Sequence, residues 1–296
     1  MQSLQSQVKA DALIVGAGPA GLACAIRLAR TWQGTRSILV LEKSAHPGGH
    51  LLSGAVLRPE PLRRLLTPEE FAALPLGPPI TRDSFHALTP RHAVRLPFVP
   101  PKMRMRGLRL VSAAQLGRAL ANTAADLGVE ILTGQTADAL AWDGDRVAGI
   151  RSQDETILAP RTVLAEGPAG LLTRELLARH PELCGTHLQT HGIGLEAIIE
   201  VPADPAAVGT GAHTFGFPLG LGIYGGGFLY RFDATHLALG LALAIDYTDP
   251  AVNPHELFRQ WTRHPPVQAR LAGVRAVGYG ARPVPQRVWH SLILAA

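Results

Sequence analysis

Apolar and polar positions alternate in three different rhythms along this chain, and each rhythm predicts a different element. Residues 12–15 are an unbroken apolar run, the pattern of a strand buried on both faces. From about Pro19 to Arg30 the apolar positions recur every three to four residues, which predicts an amphipathic helix. A second apolar run, Ser37 to Leu41, ends at Glu42. Together they predict a βαβ unit with parallel strands.

Between residues 50 and 80 the rhythm is irregular. Leu51, Leu52, Val56, Leu57, Leu62, Leu65 and Leu66 are interleaved with Arg58, Arg63 and Arg64. Leu62, Leu65 and Leu66 share one helical face. Thr67 and Glu70 have capping-box spacing, with Pro68 at the first helical position and Leu66 and Phe71 spaced as a staple. Short apolar helices beside arginines suit either a subdomain packed on the core or a surface that dips into a bilayer interface.

Helical periodicity returns after Ser112, which with Gln115 predicts another N-terminal cap. Leu116, Leu120 and Ala124 mark the apolar face and Gly128 the end, before a short strand at 129–132. A hairpin turning at Asp143-Gly144 follows, and then a return strand at 162–166. From 190 to 250 the period is two, in THGIGLEAIIEV, HTFGFPL, IYGGGFLYRF and HLALGLALAIDY. HELFRQWTRHPPV (255–267) reads as a helix stopped by Pro265 and Pro266. The expected architecture is α/β: a Rossmann-like domain interrupted by a β-rich domain (α+β) on the substrate side. The expected units are 1–170, with an excursion at 50–80, then 171–283, and 284–296 returning toward the first unit.

The chemistry-bearing signal is DALIVGAGPAGLACAIRLA. Gly16, Gly18 and Gly21 form G-x-G-x-x-G between a strand and a helix, with Ala17, Pro19 and Ala20 filling the turn. The first glycine allows the tight turn, the second lets a pyrophosphate approach the backbone, and the third lets helix and strand pack closely. Glu42, about 20 residues downstream, is placed to accept from a ribose diol, and its charge disfavours a 2′-phosphate. FAD is expected rather than NAD. Beyond Glu42 and Lys43 comes a second flexible loop with Gly48, Gly49, His50, Ser53 and Gly54, able to run along an extended cofactor. RTVLAEGPAG (161–170) is a strand ending in a small-residue turn at Gly167, which suits the adenosine half.

Composition narrows the rest. A net charge of +5 favours anionic partners without singling out nucleic acid, and none is expected. Lys102, Arg104, Arg106 and Arg109 form the one basic cluster, read as a solvated face. Two cysteines, Cys24 and Cys184, fit a reducing compartment and are too few for an iron–sulfur cluster. No apolar run reaches 18 residues, so no spanning helix is expected. The N-terminus lacks an apolar signal core, so no cleaved leader is expected. The twelve histidines show no metal-ligand spacing, and no acid–base or nucleophilic set stands out. No metal ligand or catalytic side chain is therefore assigned. Gly225, Gly226 and Gly227 inside a strand pattern pose a separate question, because three glycines there weaken a strand unless something approaches its backbone closely.

Several stretches together resemble electron-transfer flavoprotein:ubiquinone oxidoreductase, within the group of FixC-type and geranylgeranyl-reductase-like flavoproteins. They are GAGPAGLACAIRLA, LEKSAHPGGHLLSGAVLRP, HGIGLEAIIEV, HTFGFPL, IYGGGFLYRF, LALAIDYTDPAVNPHELFRQWTRHP and VGYGAR, in order from about residue 11 to 283. LSGAVL, YGGGFLY and DYTDP…HELFRQWTRHP are the specific ones. The resemblance implies FAD, a [4Fe–4S] cluster and electron transfer from a soluble electron-transfer flavoprotein to ubiquinone. It implies quinone contact at Gly225 and Gly226, and membrane contact at about residues 50–71. The location implied is monotopic, on the cytoplasmic side of a bacterial membrane. The family continues well past the end of this chain, into a second glycine-rich flavin motif and a ferredoxin-like domain carrying the cluster cysteines, so the chain corresponds to the family's N-terminal part. Two rival readings are a prenyl-chain reductase or FAD monooxygenase, and a non-catalytic flavin-binding fragment.

Overall fold

A computed structural model describes residues 7–51, 54–153, 155–184, 191–220, 222–271 and 274–285 of the 296-residue chain. Its centre is a four-stranded parallel sheet in the order Thr162–Leu164, Ala12–Val15, Ile38–Glu42, Glu130–Thr133. The helices Pro19–Trp32 and Ala113–Asp126 lie together on one face. They bury Leu22, Ala25, Ile26, Leu116, Leu120 and Ala124 against Ile14 and Val40. The other face carries Leu13, Leu39 and Leu41, covered by a four-stranded mixed sheet that includes the hairpin strands Ala139–Asp143 and Arg146–Ser152. The expected βαβ unit, the Ser112 cap and the hairpin at Asp143-Gly144 are all present.

The second layer is a seven-stranded sheet. Its order is Arg275–Pro285, His191–Glu200, His236–Ala244, Gly225–Arg231, Thr210–Gly216, Arg82–Leu88, Ala93–Arg95. Neighbours are antiparallel except Thr210–Gly216 beside Arg82–Leu88, which run parallel. Residues 82–95 were expected in the first unit and instead complete this sheet. Arg82–Leu88 pairs with Thr210–Gly216, well over a hundred residues away, so nothing local in the sequence announces that pairing, and Ala93–Arg95 adds to it as a local antiparallel partner. At the other end, Val284 and Pro285 pair with Gly192 and His191, and the remainder of 284–296 lies outside the described residues.

The two faces of this sheet differ. One carries Leu195, Ala197, Leu229, Leu239, Leu241 and Leu243 and is covered by the helix Pro254–Thr262 through Phe258 and Trp261. That helix ends before Pro265, which itself opens a further short turn, Pro265–Gln268, rather than only stopping the first. The opposite face carries Glu196, Tyr230, Phe228 and His213, with Phe85 stacked on Phe215.

The 60–72 segment forms two short helices, Glu60–Leu65 and Pro68–Ala72. The Thr67–Glu70 capping box is formed in full. Leu62 and Leu66 are only 9% and 5% exposed and join the core against the first helix, while Arg30 binds the Leu65 carbonyl and pairs with Glu70. The apolar stripe that suggested a bilayer face is therefore spent on the protein's own core, and Arg58, Arg63 and Arg64 face outward.

Candidate functional site

The turn at Gly16–Gly21 sits at the carboxyl edge of the parallel sheet, where ligands of open α/β sheets bind. Its three glycines are required for different reasons. Gly16 has φ +106°, and a methyl group there would overlap the Ala165 carbonyl. One at Gly21 would overlap the Gly16 carbonyl. Gly18 has extended backbone and nothing within 4 Å of where a Cβ would stand. Gly18 also caps the helix Pro19–Trp32 and has no side chain with which to bond the free N–H groups of its partly positive first turn. Ala17, Pro19 and Ala20 lie in that same turn. Gly167 lies at the tip of the neighbouring strand, one residue past Glu166, whose carboxylate accepts from the N–H groups of Leu172 and Thr173 and so caps the next helix.

Glu42 ends the second strand, buried, and accepts from the N–H of Ala17 at 2.9 Å and of Ser44 at 2.8 Å. Those two bonds aim its carboxylate at the glycine turn and leave further lone pairs for a diol. The structure thus brings Gly16 to Gly21, Glu42 and Gly167 together, and an adenine dinucleotide fits this group. Lys43 points into solvent beside it.

The second glycine loop leads away from this turn to a cleft of about 490 Å³. Gly49, His50 and Leu51 line one side, and Glu196, Ile198 and residues 277–282 line the other. Gly54 is buried at φ +94°, and a side chain there would run into the Glu196 carboxyl and Ala238. Ser53 lies outside the described residues. An isoalloxazine ring fits such a cleft in kind: Gly49, Gly278 and Gly280 leave room beside the backbone, Leu51 and Ile198 offer apolar contact, and the loop forming one wall follows Glu42 in sequence. Sequence reasoning passed over Glu196. The available signal was an acidic residue in an otherwise apolar run, IGLEAII.

Glu196 is 7% exposed and its Oε1 has no hydrogen-bond partner. Burial pushes its carboxyl up to about 8. Nearby, the Tyr230 hydroxyl and His213 Nε2 are 2.8 Å apart. Burial pushes His213 down to about 4, so it is neutral at pH 7. Tyr230 is raised, first by burial and then by the Glu196 charge.

Gly225, Gly226 and Gly227 lie on the strand Gly225–Arg231, and the structure gives each a packing reason. A methyl group at Gly225 would overlap the Ala242 carbonyl, one at Gly226 the Thr214 carbonyl, and one at Gly227 the indole of Trp261. Trp261 is fully buried and donates from Nε1 to the Thr214 hydroxyl at 3.0 Å. What comes close to this backbone is thus the neighbouring strands and one tryptophan. Tyr224, just before the run, is 79% exposed. Gly226 shares its sheet face with Glu196, two strands over and two residues along, on the order of 12 Å at ordinary strand spacings.

No group of three or more His, Cys, Asp or Glu among the described residues is placed to hold a metal. Cys24 is half-buried in the first helix, its thiol pushed up by burial, and Cys184 is exposed after the helix Leu171–Arg179. The residues of this chain do not fit the [4Fe–4S] cluster that the family resemblance implies.

The fold and the glycine turn define a Rossmann-type dinucleotide-binding unit joined to a large, mostly antiparallel sheet. In keeping with that class, residues 14–68 match the family model for an NAD(P)-binding Rossmann-like domain. Among solved structures, a geranylgeranyl bacteriochlorophyll reductase-like protein from Thermoplasma acidophilum superposes with TM-score 0.69 at 15% identity, over 95% of this chain and 67% of that one. The FAD-dependent halogenase CndH superposes with TM-score 0.66 at 18% identity, over 94% of this chain and 64% of that one.

The particular resemblance lies in sequence. Residues 191–284, the heart of the seven-stranded sheet, match the family model "ETF-QO, ubiquinone-binding". Relatives named electron transfer flavoprotein-ubiquinone oxidoreductase, mitochondrial, are 33% identical in Arabidopsis thaliana, over 98% of this chain and 49% of that protein. In Mus musculus the figures are 35%, 93% and 48%. The chain is therefore similar to electron transfer flavoprotein-ubiquinone oxidoreductase along almost its whole length, and it spans about half the length of the curated relatives it matches.

Proposed function

We propose that this protein is an FAD-dependent oxidoreductase that passes electrons from a reduced electron-transfer flavoprotein to ubiquinone at a membrane surface. The observation that carries the reading is the coincidence of the ubiquinone-binding family match at 191–284 with the sheet whose polar-aromatic face bounds the cleft beside the glycine loop. When bound, the flavin supplies the capacity to accept and release electrons one or two at a time, and the protein sets position and access.

The roles of the chain's own residues follow from their placement. The Gly18 turn and the first-turn N–H groups of the helix hold a pyrophosphate, and Glu42 holds a ribose diol. Gly49, His50 and Gly54 line the path from there to the cleft, with Ser53 and Lys43 assigned to the same cofactor. Gly225 and Gly226 are assigned to the quinone through backbone N–H and C=O groups, because their side-chain positions are already filled. No side chain is assigned an acid–base step in catalysis.

Membrane contact belongs to the same reading: a monotopic enzyme on the cytoplasmic side of a bacterial membrane. No helix among the described residues is long and apolar enough to cross a bilayer. The outward arginines 58, 63 and 64 offer charge to anionic headgroups. Phe98 and Val94, exposed among Arg91, Arg95 and Arg104, offer a shallow apolar contact.

The test uses the protein with any natural continuation of its chain. Substituting Gly225 would strike the Ala242 carbonyl and damage the fold, so the informative variant is Tyr224→Ala, which removes an exposed ring next to the two glycines. Its KM for a short-chain ubiquinone analogue should rise about fivefold or more, roughly the ~1 kcal/mol expected of a single aromatic contact, with FAD content unchanged. An unaltered KM would remove the quinone from this end of the strand.

A further inference from the structure

The cleft holds a group that the proposed function leaves unused. Glu196 stands in the middle of the strand His191–Glu200, and its cross-strand neighbours are Gly240 on one side and Gly280 on the other. Neither has a side chain to offer it. A third glycine, Gly54, gives it room, since any side chain there would collide with Oε1. Phe228 lies over Gly240 and closes the space on that side. None of the ion pairs among the described residues includes Glu196. The carboxyl is thus enclosed by glycine backbone and apolar groups, with an unpartnered oxygen beside a cleft open to the second glycine loop.

A buried carboxyl in a merely structural role is normally hydrogen-bonded or paired, because leaving it unpaired is costly. The titratable and charged groups around it give no alternative partner. From the loop comes His50, exposed at the mouth of the cleft. From the edge strand come Arg282, which pairs in register with Gly194, and Tyr279, whose hydroxyl bonds His255 on the opposite face. From the sheet come Tyr230 and, behind it, His213, which are hydrogen-bonded to one another. The strand His236–Ala244 presents only Ala238 and Gly240 here.

We propose that Glu196 is a redox-linked protonation site of the flavin cleft: its carboxylate takes up a proton when electrons reach a ring bound there, and releases it when they leave. The inference rests on the FAD reading above. In the step, electrons from an external reductant enter the ring. One O–H bond forms on Glu196 with a proton from solvent at the cleft mouth, and reoxidation reverses both. The driving force is electrostatic, since added negative charge within a low-dielectric cleft strengthens the hold on a nearby proton. The carboxyl is already protonated at neutral pH in the empty cleft, so the linkage shows on the alkaline side, above about pH 8.

The experiment is a redox titration of the FAD-loaded protein, with any natural continuation of its chain, between pH 6 and 10 using a chemical reductant and mediators. The wild-type midpoint potential should steepen above about pH 8 by one additional proton per two electrons, and Glu196→Gln should lack that extra slope. Reduced-minus-oxidised infrared spectra at pH 9 should show a protonated carboxyl band in the wild type that is missing in Glu196→Gln. Should the variant fail to fold, the break in the wild-type curve and its infrared band still carry the test. A wild-type curve without the break, or the same break in both proteins, overturns the proposal. A protein that stays colourless on reconstitution with FAD defeats the underlying FAD reading instead.

Discussion

The two sheets of this protein both carry conspicuous glycines, and one glycine of the first, Gly18, differs from the packed run in the second. At the edge of the parallel sheet, Gly18 faces nothing within 4 Å, and the missing side chain is space left for something else. In the seven-stranded sheet, the positions of Gly225, Gly226, Gly227 and Gly240 are filled by a carbonyl, a carbonyl, an indole and a phenyl ring of the chain itself. In sequence the two sets look alike. A glycine signals a ligand only where the fold leaves its side-chain volume empty, and one whose volume is filled signals close packing.

That contrast can be broken by substitution, and the largest effect belongs to the filled set. Gly227→Leu would drive a side chain into the buried Trp261 ring, and should cost ~3 kcal/mol or more or abolish folding, read by denaturant unfolding. Next comes Glu196→Gln. The folded carboxyl holds its proton up to about pH 8, while in the unfolded chain it titrates near 4.5. Between those values the native state binds more protons, so wild-type stability contributed by this group falls as pH rises. The variant does not titrate, and its advantage in urea unfolding without flavin should grow from near pH 4.5 to a plateau above pH 8, on the order of 3–5 kcal/mol. A difference independent of pH would mean that the carboxyl is not held neutral.

The smallest stability effect belongs to the empty set. Gly18 has an extended backbone that any residue adopts, so Gly18→Leu should change the melting of the apoprotein by less than about 0.5 kcal/mol. Its FAD content after reconstitution should nevertheless fall at least tenfold, measured by absorbance. Equal losses of flavin and stability would show that Gly18 belongs with the packing glycines after all.

What the sequence disclosed follows the same division between local and distant causes. The βαβ unit, the caps at Thr67 and Ser112, the hairpin at Asp143-Gly144 and the strands of 191–244 are specified by residues a few positions apart, and all are present. The glycine turn was legible for the same reason, since strand, glycines, helix and Glu42 follow each other within about 30 residues. Three features depended on contacts far along the chain and were not legible. Arg82–Leu88 pairs with a strand more than a hundred residues away. The leucines of 60–66 fit a bilayer face or a core equally well until the first helix is placed against them. Glu196 is defined by an empty neighbourhood assembled from Gly54, Gly240 and Gly280, which no local pattern encodes.

The parallel pairing of Arg82–Leu88 with Thr210–Gly216 has a consequence for how the molecule is assembled. During synthesis the earlier strand must wait for more than a hundred further residues before its partner emerges, and contacts of such sequence separation form slowly. Until then Phe85 and Leu88, buried in the finished sheet, stand uncovered. A fragment cut at residue 170 would keep that edge open permanently and should be prone to self-association. The half that carries the glycine turn is first in order along the chain, yet it leaves a strand without its partner until the other half is made.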